Sequence, residues 1–244
     1  MNLSKRLLSI PVLLVAGALL FASGEPEAAA SDGSRGSSLP PAGGFENDPP
    51  PPESAATAVF AGGCFWCMEE AYEAVPGVYE AVSGYAGGTT SEPTYREVTG
   101  GDTGHKEVVR VYYDESQLSY EDLLYIFWRN VDLFDNGGQF CDRGESYLTG
   151  IFYTTDEQRR LAEESREEVA GRFSQEVVTP IKPLDVIDAD ANDGFWVAEE
   201  YHQDYYLKNP SRYNFYKANC GRVRRLEQIW GDEALAPSFT KQSS

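Results

Sequence analysis

Cysteines carry much of the chemistry that this sequence offers, and two of the four are close neighbours. Cys64 and Cys67 lie in the segment GGCFWCME, where two glycines precede the first cysteine. The apolar segment Ala58–Gly62 predicts a short strand before them, and Phe65–Val75 has the pattern of a helix that ends before a proline. A thiol at a helix N-terminus meets the positive end of the helix dipole, which lowers its pKa. The position of Cys64 therefore favours its thiolate form.

A glutamate in a strand-like segment is the second candidate for chemistry. Glu107 begins the segment EVVRVYY, whose β-branched and aromatic residues predict a strand over 107–113. Glu107, Val109 and Val111 occupy every second position of this strand, so their side chains share one face. A carboxylate buried on that face without a cation is costly, and burial raises its pKa. This pattern favours a functional acid.

The Cys-x-x-Cys spacing alone leaves other interpretations open. It could form a disulfide or half of a zinc site in a non-enzymatic exported module, or serve a thiol–disulfide exchange enzyme that uses Cys64 and Cys67. A zinc site normally has a second close pair of ligands, whereas Cys141 and Cys220 are single cysteines. The two histidines are also far apart in the sequence. We therefore predict no metal.

Several motifs together resemble one known family, the A-type peptide methionine sulfoxide reductases. The resemblance starts with GCFW at a predicted strand–helix turn and extends from about residue 58 to residue 213. Its segments are Gly63–Trp66, Gly84–Gly88, Pro93–Tyr95, Thr103–Val109, Asp142, Tyr147 and Ala198–Gln203. The resemblance implies thiol-dependent reduction of methionine-(S)-sulfoxide, free and in oxidised proteins, and hence protein repair.

The resemblance also assigns roles to residues. Cys64 would attack the sulfoxide and become a sulfenic acid, while Glu107 would protonate the departing oxygen. Tyr95 and Tyr147 would donate hydrogen bonds to that oxygen, and Asp142 would complete the polar side of the pocket.

Two aromatic residues and a second thiol would complete this site. Phe65 and Trp66 would hold the substrate methyl group. A second cysteine would convert the sulfenic acid into a disulfide, which an external, thioredoxin-like dithiol would reduce without a bound cofactor. Three cysteines could act here, and we rank them in the order Cys220, Cys67, Cys141. Cys220 comes first because glycine-flanked distal cysteines serve this role in many relatives.

The sequence departs from the commoner family pattern at two positions. Cys67 stands where a glycine usually follows the tryptophan, and Leu148 stands where an arginine usually follows the tyrosine. The missing arginine could weaken the anchoring of the loop or the affinity for substrate. The absence of this arginine removes no catalytic group.

The secondary-structure pattern predicts an α+β fold. We expect a two-layer sandwich with a ferredoxin-like mixed sheet, flanking helices and an irregular C-terminal tail. Further strands are predicted at 79–85 and 150–153, and an extended stretch at 177–187. The predicted helices are 120–130 after Ser119, a segment from Thr155 to about 172, 195–209 before Pro210, and 222–230.

Composition and charge give the predicted domain organisation. Residues 1–30 have a basic start and an apolar core, which predict a signal peptide and export to the periplasm or the exterior. Residues 31–56 form a predicted disordered linker, 57–235 the reductase domain and 236–244 a flexible tail. The net charge is −19, with 20 basic and 39 acidic residues, which argues against nucleic-acid binding. We expect a monomer that keeps no membrane span after the signal is cleaved.

Overall fold

A six-stranded mixed sheet is the centre of the computed structural model, which describes residues 51–185 and 193–234. Its strands are β1 (Ala56–Ala61), β2 (Val78–Ala86), β3 (Lys106–Tyr113), β6 (Gly150–Tyr153), β7 (Ile181–Pro183) and β8 (Phe195–Val197). They follow the order β7-β6-β1-β3-β2-β8, and only the β6–β7 pair is parallel. The predicted signal peptide, most of the linker and the predicted tail lie outside the described residues.

Helices cover one face of this sheet and extend the chain after it. They are α1 (Phe65–Glu73), α2 (Tyr95–Gly100), α3 (Tyr120–Arg129), α4 (Asp156–Ala170), α5 (Tyr205–Lys208), α6 (Pro210–Asn219) and α7 (Arg222–Trp230). Ser119 and Thr155 cap α3 and α4 as predicted. A small hairpin of β4 (Gly138–Gln139) and β5 (Asp142–Arg143) follows α3. Within the described ranges, no helix has both the length and the apolar character that a membrane crossing needs.

The main hydrophobic core lies between the sheet and helices α1 and α3. Ala58 and Phe60 of β1 point into it, whereas Val59 and Ala61 join a smaller cluster on the other face, as strand periodicity requires. The Phe60 ring stacks on those of Tyr72, Tyr120 and Phe127, with centroids 5.3, 6.1 and 5.5 Å away. The helices that carry these rings are therefore fixed against the strand that leads to Cys64.

This packing gives a stability prediction. We expect Phe60→Ala to lower the free energy of unfolding by about 3–5 kcal/mol, because it leaves a cavity among three aromatic rings. Urea denaturation followed by fluorescence measures the change. The control is Tyr79→Ala, since the Tyr79 side chain is exposed and such a change costs at most about 0.5–1 kcal/mol. Equal losses in the two variants would contradict the assignment of Phe60 to the core.

The C-terminal third differs from its predicted structure. The helix predicted over 195–209 is wrong: Phe195–Val197 pairs with β2, and the Gln203 amide hydrogen-bonds to the backbone of Ser83 like a further strand residue. Asp204 then adopts a left-handed conformation that no continuous helix allows. Pro210 begins α6 at its first turn, where its missing N–H costs nothing. The helix predicted over 222–230 is confirmed as α7, whereas α6 replaces part of the expected irregular tail.

Candidate active site

A cavity of about 170 Å³ opens beside the N-terminus of α1. Eight residues line this cavity. Seven of them, from five separate segments of the chain, were predicted as site residues from the sequence, and the eighth was not. The lining residues are Cys64, Phe65, Trp66, Tyr95, Glu107, Asp142, Tyr147 and Tyr216. A nucleophile, a carboxylic acid, aromatic rings and phenolic hydroxyls therefore face one small volume.

The turn between β1 and α1 places Cys64 in this cavity. Gly63 has a φ of +82°, and a Cβ there would lie 2.5 Å from the Gln139 Cβ, so only glycine fits the turn. Cys64 is the N-cap residue of α1, and its side chain makes no capping hydrogen bond. The Cys64 side chain therefore does not cap the helix, and the residue lines the cavity.

Cys64 and Cys67 form a buried pair of free thiols, one helical turn apart. Their side chains are hydrogen-bonded to each other. Burial raises the pKa of the Cys64 thiol, so the expectation that its pKa is lowered is wrong. The hydrogen bond with Cys64 lowers the pKa of Cys67 to about 6, and the positive charge of Arg222 contributes. When the pair loses a proton, the negative charge is therefore favoured on Cys67.

Arg222 lies beneath this pair and was not predicted as a site residue. It is 2% exposed and donates hydrogen bonds to the carbonyl oxygens of Asn130 (2.5 Å) and Gly62 (3.3 Å). Its guanidinium stacks over the Phe140 ring, 4.4 Å from the centroid. Among the described residues it forms no ion pair with a carboxylate. Its positive charge favours the thiolate form of Cys67 and the charged form of Asp142.

A substitution of Arg222 tests whether its positive charge stabilises the thiolate. We expect Arg222→Met to raise the pH midpoint of thiolate formation by about one unit or more, because the thiolate loses its counter-charge. Ultraviolet absorbance of the thiolate during a pH titration measures the midpoint, and Arg222→Lys should restore most of it. Arg225→Met, on the same helix, is the matched control. An unchanged midpoint in Arg222→Met would show that the arginine is only structural.

Two tyrosines of α6 also face the thiols. The Tyr216 hydroxyl contacts Cys64 and donates a hydrogen bond to the Asp142 carboxylate. The Tyr213 hydroxyl contacts Cys67 and donates to Glu70 at 2.7 Å. Neither residue was predicted. The only sequence signal was their three-residue spacing, which places both on one face of a helix.

Glu107 lies deep in the cavity wall. It is 2% exposed, and its carboxyl group accepts a hydrogen bond from the Phe65 backbone N–H at 3.0 Å and another from the Tyr147 hydroxyl. Burial raises its pKa to about 8, and among the described residues no cation offsets this effect. The carboxyl group is therefore mostly protonated at neutral pH, as the role implied by the resemblance requires. Tyr147 is in turn hydrogen-bonded to Tyr95.

The aromatic wall is held by a polar network behind it. Trp66 stacks on Tyr205 with centroids 3.8 Å apart, and its indole N–H donates to His202 Nδ1 at 3.2 Å. Burial lowers the pKa of His202 to about 4, so the ring is a neutral acceptor. The Tyr95 backbone N–H donates to Glu199 at 2.8 Å. These contacts fix the Trp66 ring and the start of α2, which carries Tyr95.

The other two cysteines form a disulfide at the edge of the site. Cys141 and Cys220 are 79 residues apart in sequence, with Cα atoms 4.9 Å from each other. Their sulfurs lie 3.7 and 3.9 Å from oxygens of Asp142, the carboxylate that lines the cavity. Burial raises the pKa of Asp142. Of the three candidate resolving cysteines, only Cys67 is a free thiol next to Cys64.

The fold and the site together define a class of protein: an α+β thiol oxidoreductase with a protonated carboxylic acid beside its cysteine pair. The family model of the peptide methionine sulfoxide reductases matches residues 56–234. The chain belongs to this family.

Individual relatives agree with that assignment. The chain is 47% identical over 176 residues to the peptide methionine sulfoxide reductase MsrA of Bacillus licheniformis, covering 71% of this chain and 93% of that one. It is 51% identical over 175 residues to MsrA 2 of Caulobacter vibrioides, covering 72% and 85%. Among solved structures it resembles reduced Mxr1 of Saccharomyces cerevisiae, with a TM-score of 0.58, 30% identity and coverage of 65% and 88%.

Proposed function

We propose that this chain reduces methionine-(S)-sulfoxide, free and in oxidised proteins, with Cys64 as the nucleophile and Glu107 as the acid. The observation that carries the proposal is that these two groups share one small cavity. The Cys64 sulfur attacks the substrate sulfur and passes its proton to Cys67. Glu107 protonates the sulfoxide oxygen, which moves to the Cys64 sulfur. Methionine leaves, and Cys64 becomes a sulfenic acid.

The other lining residues position the sulfoxide. Tyr95 and Tyr147 donate hydrogen bonds to its oxygen, and Asp142 completes the polar side. Phe65 and Trp66 enclose the methyl group, which supports the choice of a methyl sulfoxide over a larger group. The volume of about 170 Å³ suits the end of a methionine side chain.

We assign the resolving step to Cys67. Its thiol attacks the Cys64 sulfenic acid, a disulfide forms between them, and water leaves with the proton of Cys67. This assignment departs from the ranking of Cys220, Cys67 and Cys141 inferred from the sequence. It rests on the contact between the two thiols and on the disulfide that already occupies Cys220 and Cys141.

A direct assay tests this function. Purified chain, dithiothreitol and each epimer of a methionine sulfoxide substrate are combined, and the methionine formed is measured by chromatography. We expect reduction of the S epimer, little of the R epimer, and none by the Cys64→Ser chain. Activity that survives Cys64→Ser would overturn the proposal, as would turnover of the R epimer alone.

We further propose an external dithiol of the thioredoxin type as reductant, with no bound cofactor or metal.

We also propose export to the periplasm or the exterior, because Lys5 and Arg6 are followed by the apolar stretch 7–21. Mass spectrometry of the mature chain would locate the cleavage site, and an intact N-terminus would contradict export by a cleaved signal peptide.

We propose that the reductase domain spans residues 57–235 and that the protein is a monomer. The strand order β6-β1-β3-β2, with α1 and α3 as crossovers, supports a ferredoxin-like architecture.

A further inference from the structure

The Tyr216 hydroxyl lies between two groups of the active site. It contacts the Cys64 sulfur and also donates a hydrogen bond to the Asp142 carboxylate. All three residues line the cavity. The reaction proposed for this site uses Cys64 and Asp142 but gives Tyr216 no role. Because the hydroxyl touches the sulfur that attacks the sulfoxide, it can act directly on that step.

Contacts with α1 hold this hydroxyl in place. Tyr213 and Lys217 of α6 both bind Glu70 of α1, the tyrosine through a hydrogen bond of 2.7 Å and the lysine through an ion pair. These two residues are about one helical turn apart, and Tyr216 lies between them in the sequence. The Tyr216 ring also meets the Trp66 ring edge to face, with centroids 6.2 Å apart. The helix that carries Tyr216 is therefore fixed against α1.

Tyr216 has one proton to share between two acceptors. Burial raises the pKa of Tyr216 far above its usual value, so the hydroxyl remains a donor. A phenol has a single O–H and donates to one acceptor at a time. A thiol is a weak acceptor, whereas an ionised sulfur forms a charge-assisted hydrogen bond. The hydroxyl therefore binds Asp142 while Cys64 is a thiol, and it can turn to Cys64 once a thiolate forms.

Cys64 needs such a donor when it attacks. Burial raises the pKa of the Cys64 thiol, and the negative charge of the pair is favoured on Cys67. Arg222 and Tyr213 both favour the thiolate form of Cys67. The hydrogen bond from Tyr216 has the opposite effect, because it lowers the pKa of Cys64. Tyr216 therefore favours the charge on the sulfur that reacts.

We propose that Tyr216 is a catalytic residue whose hydroxyl turns from Asp142 to the Cys64 sulfur as that sulfur attacks the sulfoxide. The inference rests on the proposed function and adds a residue to it. The Cys64 proton passes to the Cys67 thiolate, and the charge moves to Cys64. Tyr216 keeps its own proton and stabilises this charge until the electron pair of Cys64 forms the bond to the substrate sulfur. Meanwhile the positive charge of Arg222 favours the charged form of Asp142.

An alkylation experiment tests this role without any sulfoxide. In a Cys67→Ser chain, Cys64 is the only cysteine outside the disulfide, so its reaction with iodoacetamide reports its thiolate fraction. We expect Tyr216→Phe, which keeps the ring, to slow this reaction about tenfold or more at pH 8. Tyr206→Phe is the matched control, because the Tyr206 hydroxyl also donates to a carboxylate, that of Glu73 at 2.5 Å, and does not line the cavity. An unchanged rate in Tyr216→Phe, or an equal loss in the control, would overturn the proposal.

A second variant tests whether Asp142 competes for the hydroxyl. Asp142→Asn removes the charged acceptor, so in the Cys67→Ser chain we expect Cys64 to react with iodoacetamide about threefold faster or more. Most of this gain should disappear when Tyr216→Phe is added. No gain in Asp142→Asn, or an equal gain with and without the Tyr216 hydroxyl, would contradict the proposed turn from Asp142 to Cys64.

The reaction itself is followed in a chain that keeps Cys67. Tyr216→Phe should lower the rate at which the first methionine is released at pH 7 about tenfold or more. The half-saturating concentration of sulfoxide should stay within about twofold, because the hydroxyl acts on Cys64 and not on the substrate. An unchanged rate would exclude a catalytic role for Tyr216. If the unaltered chain released no methionine, the proposed function would fail instead, while the alkylation rates would still report the hydrogen bond to Cys64.

Discussion

Replacing Glu107 with glutamine is expected to lower kcat/KM for the sulfoxide by about 10²–10⁴, the range typical for loss of a general acid. Glutamine can still accept the hydrogen bond from the Phe65 N–H, so the turn into α1 keeps its contact. It cannot supply a proton to the sulfoxide oxygen. Stopped assays of methionine formation measure the loss, and circular dichroism shows whether the fold is intact.

The pH dependence distinguishes an acid from a structural carboxyl group. The pKa of Glu107 is raised to about 8, so the proton-bearing form predominates below that pH and is lost above it. In the unaltered chain kcat/KM should therefore fall as pH rises through about 8, and the Glu107→Gln chain should lack this alkaline limb. A limb at low pH should persist in both chains, because deprotonation of the cysteine pair near the Cys67 pKa of about 6 is still required.

A second buried glutamate provides the control. Glu69 is 1% exposed, and burial raises its pKa too, but it does not line the cavity. Its carboxylate accepts hydrogen bonds from the Ser83 hydroxyl and the Asp204 backbone N–H. Glu69→Gln should change kcat/KM by less than about threefold and keep the alkaline limb. If the alkaline limb is lost in the Glu69→Gln chain and persists in the Glu107→Gln chain, Glu107 is excluded as the acid.

Some site residues could be predicted from the sequence because the reaction requires their chemical type. A nucleophilic sulfur and an acid on a strand face could be found because GCFW and the alternation around Glu107 are local patterns. The cavity brings both together with Tyr95, Tyr147 and Asp142 as expected. Strands were also predictable where apolar residues alternate, since the period of two is set by the backbone.

What could not be predicted depends on long-range packing. Arg222 enters the site because carbonyl groups of Gly62 and Asn130, 160 and 92 residues away, hold its guanidinium. The pKa of Cys64 was expected to be lowered from its helix position alone, yet burial by the rest of the fold raises it. The pairing of Cys141 with Cys220 likewise depends on how the β4–β5 hairpin meets the turn between α6 and α7.

Replacing Cys67 with serine is expected to stop the catalytic cycle after its first chemical step. Without reductant, the variant should release about one methionine per chain and retain a sulfenic acid on Cys64, because no neighbouring free thiol remains to displace water. Multiple turnover with the thioredoxin system should fall at least about a hundredfold. The rate of the first methionine should also fall, since Cys67 accepts the proton of Cys64 in the attack.

Trapping experiments separate this outcome from resolution by another cysteine. Dimedone, which reacts with sulfenic acids, should label Cys64 in the Cys67→Ser chain but not in the unaltered chain, where a Cys64–Cys67 disulfide forms first. Peptide mapping by mass spectrometry identifies both products. Cys220→Ser is the matched control: it should still form the Cys64–Cys67 disulfide and resist dimedone. A Cys64–Cys220 disulfide in the unaltered chain after one turnover would instead return the resolving role to Cys220, and the disulfide with Cys141 would then have to open before every cycle.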